Sequence, residues 1–179
     1  TTPAYYLDFG DSGIKRISYA ASFATTELVK GTEVFVQENL RRFDKIAVRE
    51  ESGLNILHQL GLLGEVVLDP AFLLSANEWN QIIDEYDTSN EDYILVYDFM
   101  KSPTVKSIAL RLAQLHHCKI YAISPFKASY ANKNFLEAGP SEFVRLVKNA
   151  KCVISNSFHG TVFAMIYQRD FFVIEREDG

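Results

Sequence analysis

Residues 93–123 read YILVYDFMKSPTVKSIALRLAQLHHCKIYAI, and this stretch decides the fold. Tyr93 to Tyr97 is a short apolar run rich in strand-forming residues, with the length of a buried strand. Ser102 and Pro103 supply an N-cap and a proline at the first helical position. Val105, Ile108, Ala109, Leu112 and Leu115 then recur at helical spacing, and the helix is expected to end near His117. Ile120 to Ile123 is a second strand. Strand, amphipathic helix and strand in one unit of this length predict a parallel sheet with a crossover helix.

The same grammar continues toward the C-terminus. After Gly139-Pro140 a Ser141 cap is expected to open a helix with Phe143, Leu146, Val147 and Ala150 on one face. Cys152 to Ser155 returns to strand, Asn156 to Gly160 form a turn, Thr161 to Gln168 a short helix, and Phe171 to Glu175 a last strand. The expected order is βαβαβαβ. Toward the N-terminus the pattern is fainter. Strands are expected at Ile17 to Ala21, Lys45 to Val48 and Val66 to Leu68, with one helix through Phe35, Leu40 and Phe43 and another striped by Leu54, Leu57 and Leu60 and closed by Gly61. Ser75 with Glu78 three residues on is a capping box for a helix carrying Trp79, Ile82 and Ile83. The acidic, aperiodic stretch DEYDTSNED at 84–92 is the expected linker between two α/β lobes, 1–83 and 93–179.

Composition supports a folded globular chain. Of 179 residues 47% are apolar and 13% aromatic, with only 9 Gly and 5 Pro, which argues against disorder and low complexity. The longest apolar run, Val162 to Tyr167, is far short of the roughly 18 residues of a membrane span. The net charge of −5 provides no basic surplus for counterion release, so nucleic acid is not expected as a partner. Cys118 and Cys152 each open an apolar run and read as buried free thiols of a reducing compartment. The chain opens on Thr1 and stops directly after an apolar run, the expectation for a piece of a longer protein.

Ligands of open α/β sheets bind beyond the carboxyl ends of the strands, where helix N-termini aim N–H groups at anions. Two segments place ionisable residues there. The strand at 45–48 delivers Arg49 beside a helix start, and the segment CVISNSFHGT places His159 between a strand and a helix. Gly160 permits close approach of a ligand to backbone, while Ser155, Asn156, Ser157 and Thr161 offer short polar groups. For Arg49 the structural alternative is an ion pair with Glu50 or Glu51; for His159 it is a surface or core histidine. His116, His117 and Cys118 are adjacent helix residues pointing about 100° apart, a poor geometry for one metal ion, and no metal is expected.

The stretch ISNSFHGTVFAMIYQRDFFVI, preceded by GPSEFVRLVKNAKCV, resembles the polysaccharide pyruvyl transferase family. ISYAASF at 17–23, FDKIAVREESGLNILHQLG at 43–61 and LDPAFLLSANEW at 68–79 agree in order, so the resemblance covers nearly the whole chain. It implies two Rossmann-like lobes with parallel sheets, similar to GT-B glycosyltransferases. The family's opening strand with its Gly-rich turn and its closing tail are not among these residues. Residues 1–83 would then be the later part of the first lobe and 93–179 a second lobe truncated at its C-terminus. The implied reaction moves a pyruvyl group from phosphoenolpyruvate onto a pair of sugar hydroxyls, closing a pyruvate ketal in cell-surface polysaccharide synthesis. By resemblance His159 is catalytic, and Arg49, Ser157, Phe158 and Gly160 bind the donor; Ser22, Asn156 and Thr161 are further candidates for substrate contact. Other branches of the family carry Arg at the position of Ser157, so one anion contact is expected from elsewhere. Ala24 replaces a Gly that often follows YAASF. No cofactor beyond the donor substrate is expected. The implied acceptor is a glycan or lipid-linked saccharide, and the implied location is the cytoplasm, at the inner face of the membrane. Two rival readings are a nucleotide-sugar glycosyltransferase of the same architecture, with His159 and the Gly160 helix gripping a diphosphate, and a non-catalytic binding module.

Overall fold

The computed structural model describes residues 2–11, 13–83 and 91–176, and the chain divides into two compact units, Thr1–Leu73 and Leu74–Gly179. The expected Rossmann-like architecture is present in both: a three-stranded and a five-stranded sheet, every pairing parallel.

In the first unit β1 (Ile17–Ala21), β2 (Lys45–Val48) and β3 (Glu65–Val66) lie side by side in that order. The connections carry α1 (Glu33–Leu40) and α2 (Glu51–Gln59). Val36 and Leu40 of α1 meet Val48 of β2 and Ile56 and Leu57 of α2 in one buried cluster that Leu60 completes. β3 ends earlier than its apolar residues suggest, because Asp69-Pro70 begins a 3-10 turn at Pro70–Leu73 and Leu68 is left exposed. Arg16, only 5% exposed, escapes notice in the sequence; its guanidinium donates to the carbonyls of Leu7 (3.1 Å), Phe9 (2.8 Å) and Ile14 (3.2 Å), pinning the segment ahead of β1.

The second unit has β4 (Tyr93–Tyr97), β5 (Lys119–Ile123), β6 (Lys133–Phe135), β7 (Cys152–Ser155) and β8 (Asp170–Val173) in the spatial order β6-β5-β4-β7-β8. Helices α3 (Ala76–Trp79), α4 (Pro103–His116), α5 (Pro140–Asn149) and α6 (Phe158–Ile166) complete it. Successive strand residues face opposite sides, so Ile94 and Val96 pack with Val105 and Ala109 of α4, while Tyr93 on the other side stacks on Tyr121 at 4.1 Å and donates to the Leu146 carbonyl of α5. Burial on both faces is why these strands read as continuous apolar runs.

Other boundaries differ from the sequence reading as well: α1 stops at Leu40 short of Phe43, α3 stops at Trp79 with Asn80–Ile82 in a 3-10 turn, and β8 is Asp170–Val173 instead of Phe171–Glu175. β6 is an additional edge strand whose residues Lys-Asn-Phe carry no periodicity; it is held by Asn134, whose side chain accepts from the Ala128 N–H (2.7 Å) and donates to the Ala128 carbonyl (3.3 Å). α5 begins at Pro140 with Gly139, not Ser141, as N-cap, because the proline can occupy the first turn without a donor. α6 begins at Phe158, so His159 sits on a helix's first turn and not in a preceding loop. The division between units falls at Leu73/Leu74, ahead of the expected 84–92 linker, because Trp79 packs edge-on against Phe163 (4.9 Å) and Tyr167 hydrogen-bonds Asn80 (3.3 Å). Residues 84–90 of the expected linker lie outside the described residues. Glu91 is tied to Lys119, Lys133 and Tyr121, and Asp92 to Lys151.

Candidate active site

Strand order locates a candidate site in the second unit. From β4 the chain goes to β5 and β6 on one side, then crosses to β7 and β8 on the other, so the topological switch point lies between β4 and β7. The crevice beyond their carboxyl ends is where open α/β sheets bind ligands. β7 ends at Ser155 and α6 starts at Phe158, which puts Asn156, Ser157, Phe158 and His159 there.

Ser155 and Gly160 set the geometry of this turn. The Ser155 hydroxyl donates to the Tyr97 carbonyl (3.1 Å) and accepts from the Ser157 N–H (2.9 Å), clamping the turn onto β4. A Cβ on Gly160 would stand 2.3 Å from Ser155 Oγ and 2.9 Å from Tyr97 Cδ1. Gly160 is therefore required by the packing of α6 onto β7 and β4, a reason internal to the fold and different from the ligand approach its place in the sequence suggested. That packing carries His159 outward on the first helical turn, exposed, with its ring edge-on to Phe158 at 5.3 Å.

The other short polar residues divide between brace and rim. Asn156 is buried; its amide donates to Asp98 Oδ1 (2.6 Å) and its side-chain oxygen accepts from the Phe99 N–H (3.4 Å). Its carbonyl accepts from Arg176 Nε (3.0 Å). Asn156 thus joins the ends of β7 and β4, and its side chain is committed to structure. Ser157 is the N-cap of α6, yet its side chain hydrogen-bonds Tyr97 instead of capping the helix. Burial pushes the Tyr97 phenol up, with the Ser157 hydrogen bond acting against it, so Tyr97 stays neutral across the ordinary pH range. Thr161 donates to the Ser157 carbonyl at 3.5 Å and Phe158 is 49% exposed at the rim.

Asp98, Tyr97 and Asp69 are residues that sequence reasoning missed. Asp98 is buried directly after β4 and accepts from Met100 N–H (2.8 Å), Ser102 N–H (2.9 Å) and Asn156, fixing the entry to α4. An aspartate directly after a strand and four residues before a Ser-Pro helix start was the available signal.

In the first unit, Arg49 directly follows β2, and its N–H donates to Ala21 of β1 (3.1 Å). Its guanidinium meets the buried Asp69 carboxylate at 3.3 Å and Glu50 at 3.8 Å, leaving the side chain 28% exposed. Asp69 is itself held by the Ala71 N–H (3.0 Å) and Glu50 by the Phe23 N–H (2.9 Å). The ion pair foreseen with Glu50 is present, and Asp69 adds a partner from 20 residues away. Two fixed carboxylates orient the guanidinium while part of its surface stays open to solvent. Ser22 is exposed beyond β1, its hydroxyl accepting from the N–H of Ala24, which adopts a left-handed φ of 54°.

A family model, polysaccharide pyruvyl transferase, matches residues 3–178. The chain belongs to this family. A search of the curated proteins found no match. Membership in the polysaccharide pyruvyl transferases makes the protein a transferase by class and implies a saccharide acceptor. Among the described residues no helix is long and apolar enough to cross a membrane.

Proposed function

We propose that this protein transfers the pyruvyl group of phosphoenolpyruvate to two hydroxyls of one sugar, forming a cyclic pyruvate ketal during cell-surface polysaccharide synthesis on the cytoplasmic side of the membrane. The observation that carries the proposal is the exposed imidazole of His159 on the first turn of α6 at the switch point of the second sheet, in a chain of this family.

The chemistry asks for one proton carrier and several anion holders. His159 as imidazolium gives its proton to the enol methylene carbon while a sugar hydroxyl oxygen bonds to the adjacent carbon, and the neutral imidazole then takes that hydroxyl's proton. Inorganic phosphate leaves, and the second hydroxyl closes the ring, its proton departing with phosphate or solvent. One phosphoenolpyruvate and one diol give one ketal and one phosphate. Arg49, held by Asp69 and Glu50, grips the donor's carboxylate or phosphate in a two-pronged contact. The N-terminal N–H groups of α6 at Phe158 and Gly160 favour the developing negative charge, while Ser157, its own N–H spent on the Ser155 hydroxyl, borders the donor as the N-cap. In the second unit Thr161 is the candidate for acceptor contact and Asn156 holds the turn; in the first unit Ser22 is a further candidate for substrate contact. The reaction draws on no resident cofactor.

Product analysis tests this directly. Incubated with phosphoenolpyruvate and a panel of saccharides, the enzyme should release phosphate stoichiometrically with an acid-labile adduct on one sugar, and mass spectrometry should find that two hydroxyls have been consumed. A nucleoside-diphosphate sugar consumed in place of phosphoenolpyruvate would identify a glycosyltransferase, and no product with either donor would leave a binding module.

A further inference from the structure

Beside the switch point lies a second feature that the reaction above does not use. A cavity of about 180 Å³ opens beyond the carboxyl ends of β4 and β5, lined by Lys101, Lys106 and Lys127 with Ser102, Ser124 and Asp98. Lys101 comes from the loop after β4, Lys106 from the start of α4 and Lys127 from the loop after β5, which the parallel pairing of β4 with β5 brings together. None of the three forms an ion pair among the described residues; Lys101 lies over the Phe126 ring at 4.1 Å and Lys106 over Tyr130 at 5.9 Å. The single carboxylate of the cavity, Asp98, is consumed by two backbone N–H groups and the Asn156 amide, so it does not neutralise the amines by direct contact. Ser102 and Ser124 are more than nine-tenths buried, each already accepting a backbone N–H and each with a hydroxyl proton still to give. Three amines against one committed carboxylate, with hydroxyl donors on the floor, make an anion site of net charge near +2.

We propose that this cavity takes the diphosphate group of an activated saccharide acceptor, a proposal that rests on the pyruvyl-transfer reading of the neighbouring site. The charge count favours a diphosphate ester over a monoanion, and lysines from two loops and a helix start suit an extended anion with several oxygens. Position adds the second argument. Strands stand about 4.8 Å apart, so the ends of β5 and β7 are roughly 10 Å apart across β4. A diphosphate seated over β4 and β5 thus lies within a saccharide's span of His159, and Asp98 with Asn156 braces both sides. Diphosphate could be presented by a nucleotide or by a polyprenyl lipid; the cavity reads the chemistry they share.

Inorganic pyrophosphate is the probe. Titrated calorimetrically into the protein, it should bind saturably, and Lys101→Gln/Lys106→Gln/Lys127→Gln should weaken it about tenfold or more. Affinity for phosphoenolpyruvate should be unchanged. All three lysines are exposed, so folding is expected to survive, and the corresponding triple Arg variant should restore binding. This arm needs no turnover, so it stands or falls apart from the pyruvyl-transfer reading. In turnover, the Gln variant should raise KM, with kcat kept, for the diphosphate-bearing acceptor that the enzyme uses, and leave KM for the same saccharide without phosphate unchanged. A soluble nucleoside-diphosphate sugar and a detergent-solubilised polyprenyl-diphosphate saccharide distinguish the two sources. Absence of saturable pyrophosphate binding, equal binding by the Gln variant, or displacement of phosphoenolpyruvate by pyrophosphate would each overturn the proposal, the last by making the cavity part of the donor site.

Discussion

Gly160 couples packing to chemistry through a single missing atom. An added Cβ cannot fit 2.3 Å from Ser155 Oγ and 2.9 Å from Tyr97, so Gly160→Ala must push α6 away from β7 and carry His159 with it. We expect a loss of about 1–3 kcal/mol by denaturant unfolding, together with a fall in turnover. Arg49→Lys acts on a different quantity: an ammonium keeps the charge beside Asp69 and Glu50 but loses the fork, so donor affinity should fall by about tenfold or more with the melting temperature little changed. Of these residues the sequence made His159 and Arg49 legible, because a strand end followed by a helix start is a local pattern. The role of Gly160 was not, since it depends on Tyr97 from a strand far away in the chain. The Arg49–Asp69 pair and the lysine cavity were hidden for the same reason: each is assembled by strand pairing from positions that carry no common motif. The two cysteines were legible as free thiols, and Cys152 is buried as expected while Cys118 is only half-buried. Burial, reinforced by Asp170 and Cys118, pushes Cys152 up to about 11, and burial raises Cys118 too. Both should react slowly with iodoacetamide at pH 8 in the native protein and quickly once it is unfolded.

At the scale of elements, the fold rests on strands buried on both faces and on helices that cover them. Leu57 of α2 is fully buried in the first unit's cluster, and Leu57→Ala should cost about 2–5 kcal/mol by chemical denaturation. The edge of the second sheet is fastened electrostatically. Glu91 meets Lys119 at the start of β5, Lys133 of β6 and the Tyr121 hydroxyl, and the Lys119 hydrogen bond is the largest influence holding its carboxyl down to about 2 from an ordinary 4.5. A carboxyl with a lowered folded pKa stabilises above its unfolded pKa and loses that contribution as pH falls through the folded one. The stability gap between wild type and Glu91→Gln should therefore be present at pH 7, narrow from about pH 4.5 and close near pH 2, as read from urea midpoints across that range. The long apolar strands were legible from composition, whereas β6 was not, because three residues of mixed character are placed by Asn134 and strand pairing alone.

For the molecule as a whole, the account assigns anion capture to the carboxyl ends of strands in each unit and proton transfer to one histidine. Sheet order makes this assignment possible in the second unit: β4 is central, its neighbours β5 and β7 are reached by connections running opposite ways, and the two loops beyond β4 and β7 meet through Asp98 and Asn156. The central claim is that His159 moves the protons of pyruvyl transfer. Phosphate release from phosphoenolpyruvate in the presence of acceptor, measured with donor affinity and a thermal melt for wild type and His159→Asn, tests it most directly. The account predicts turnover lower by about 10²- to 10⁴-fold in the variant, with donor affinity and melting temperature close to wild type. Near-normal turnover in His159→Asn would contradict it and return His159 to an exposed surface residue.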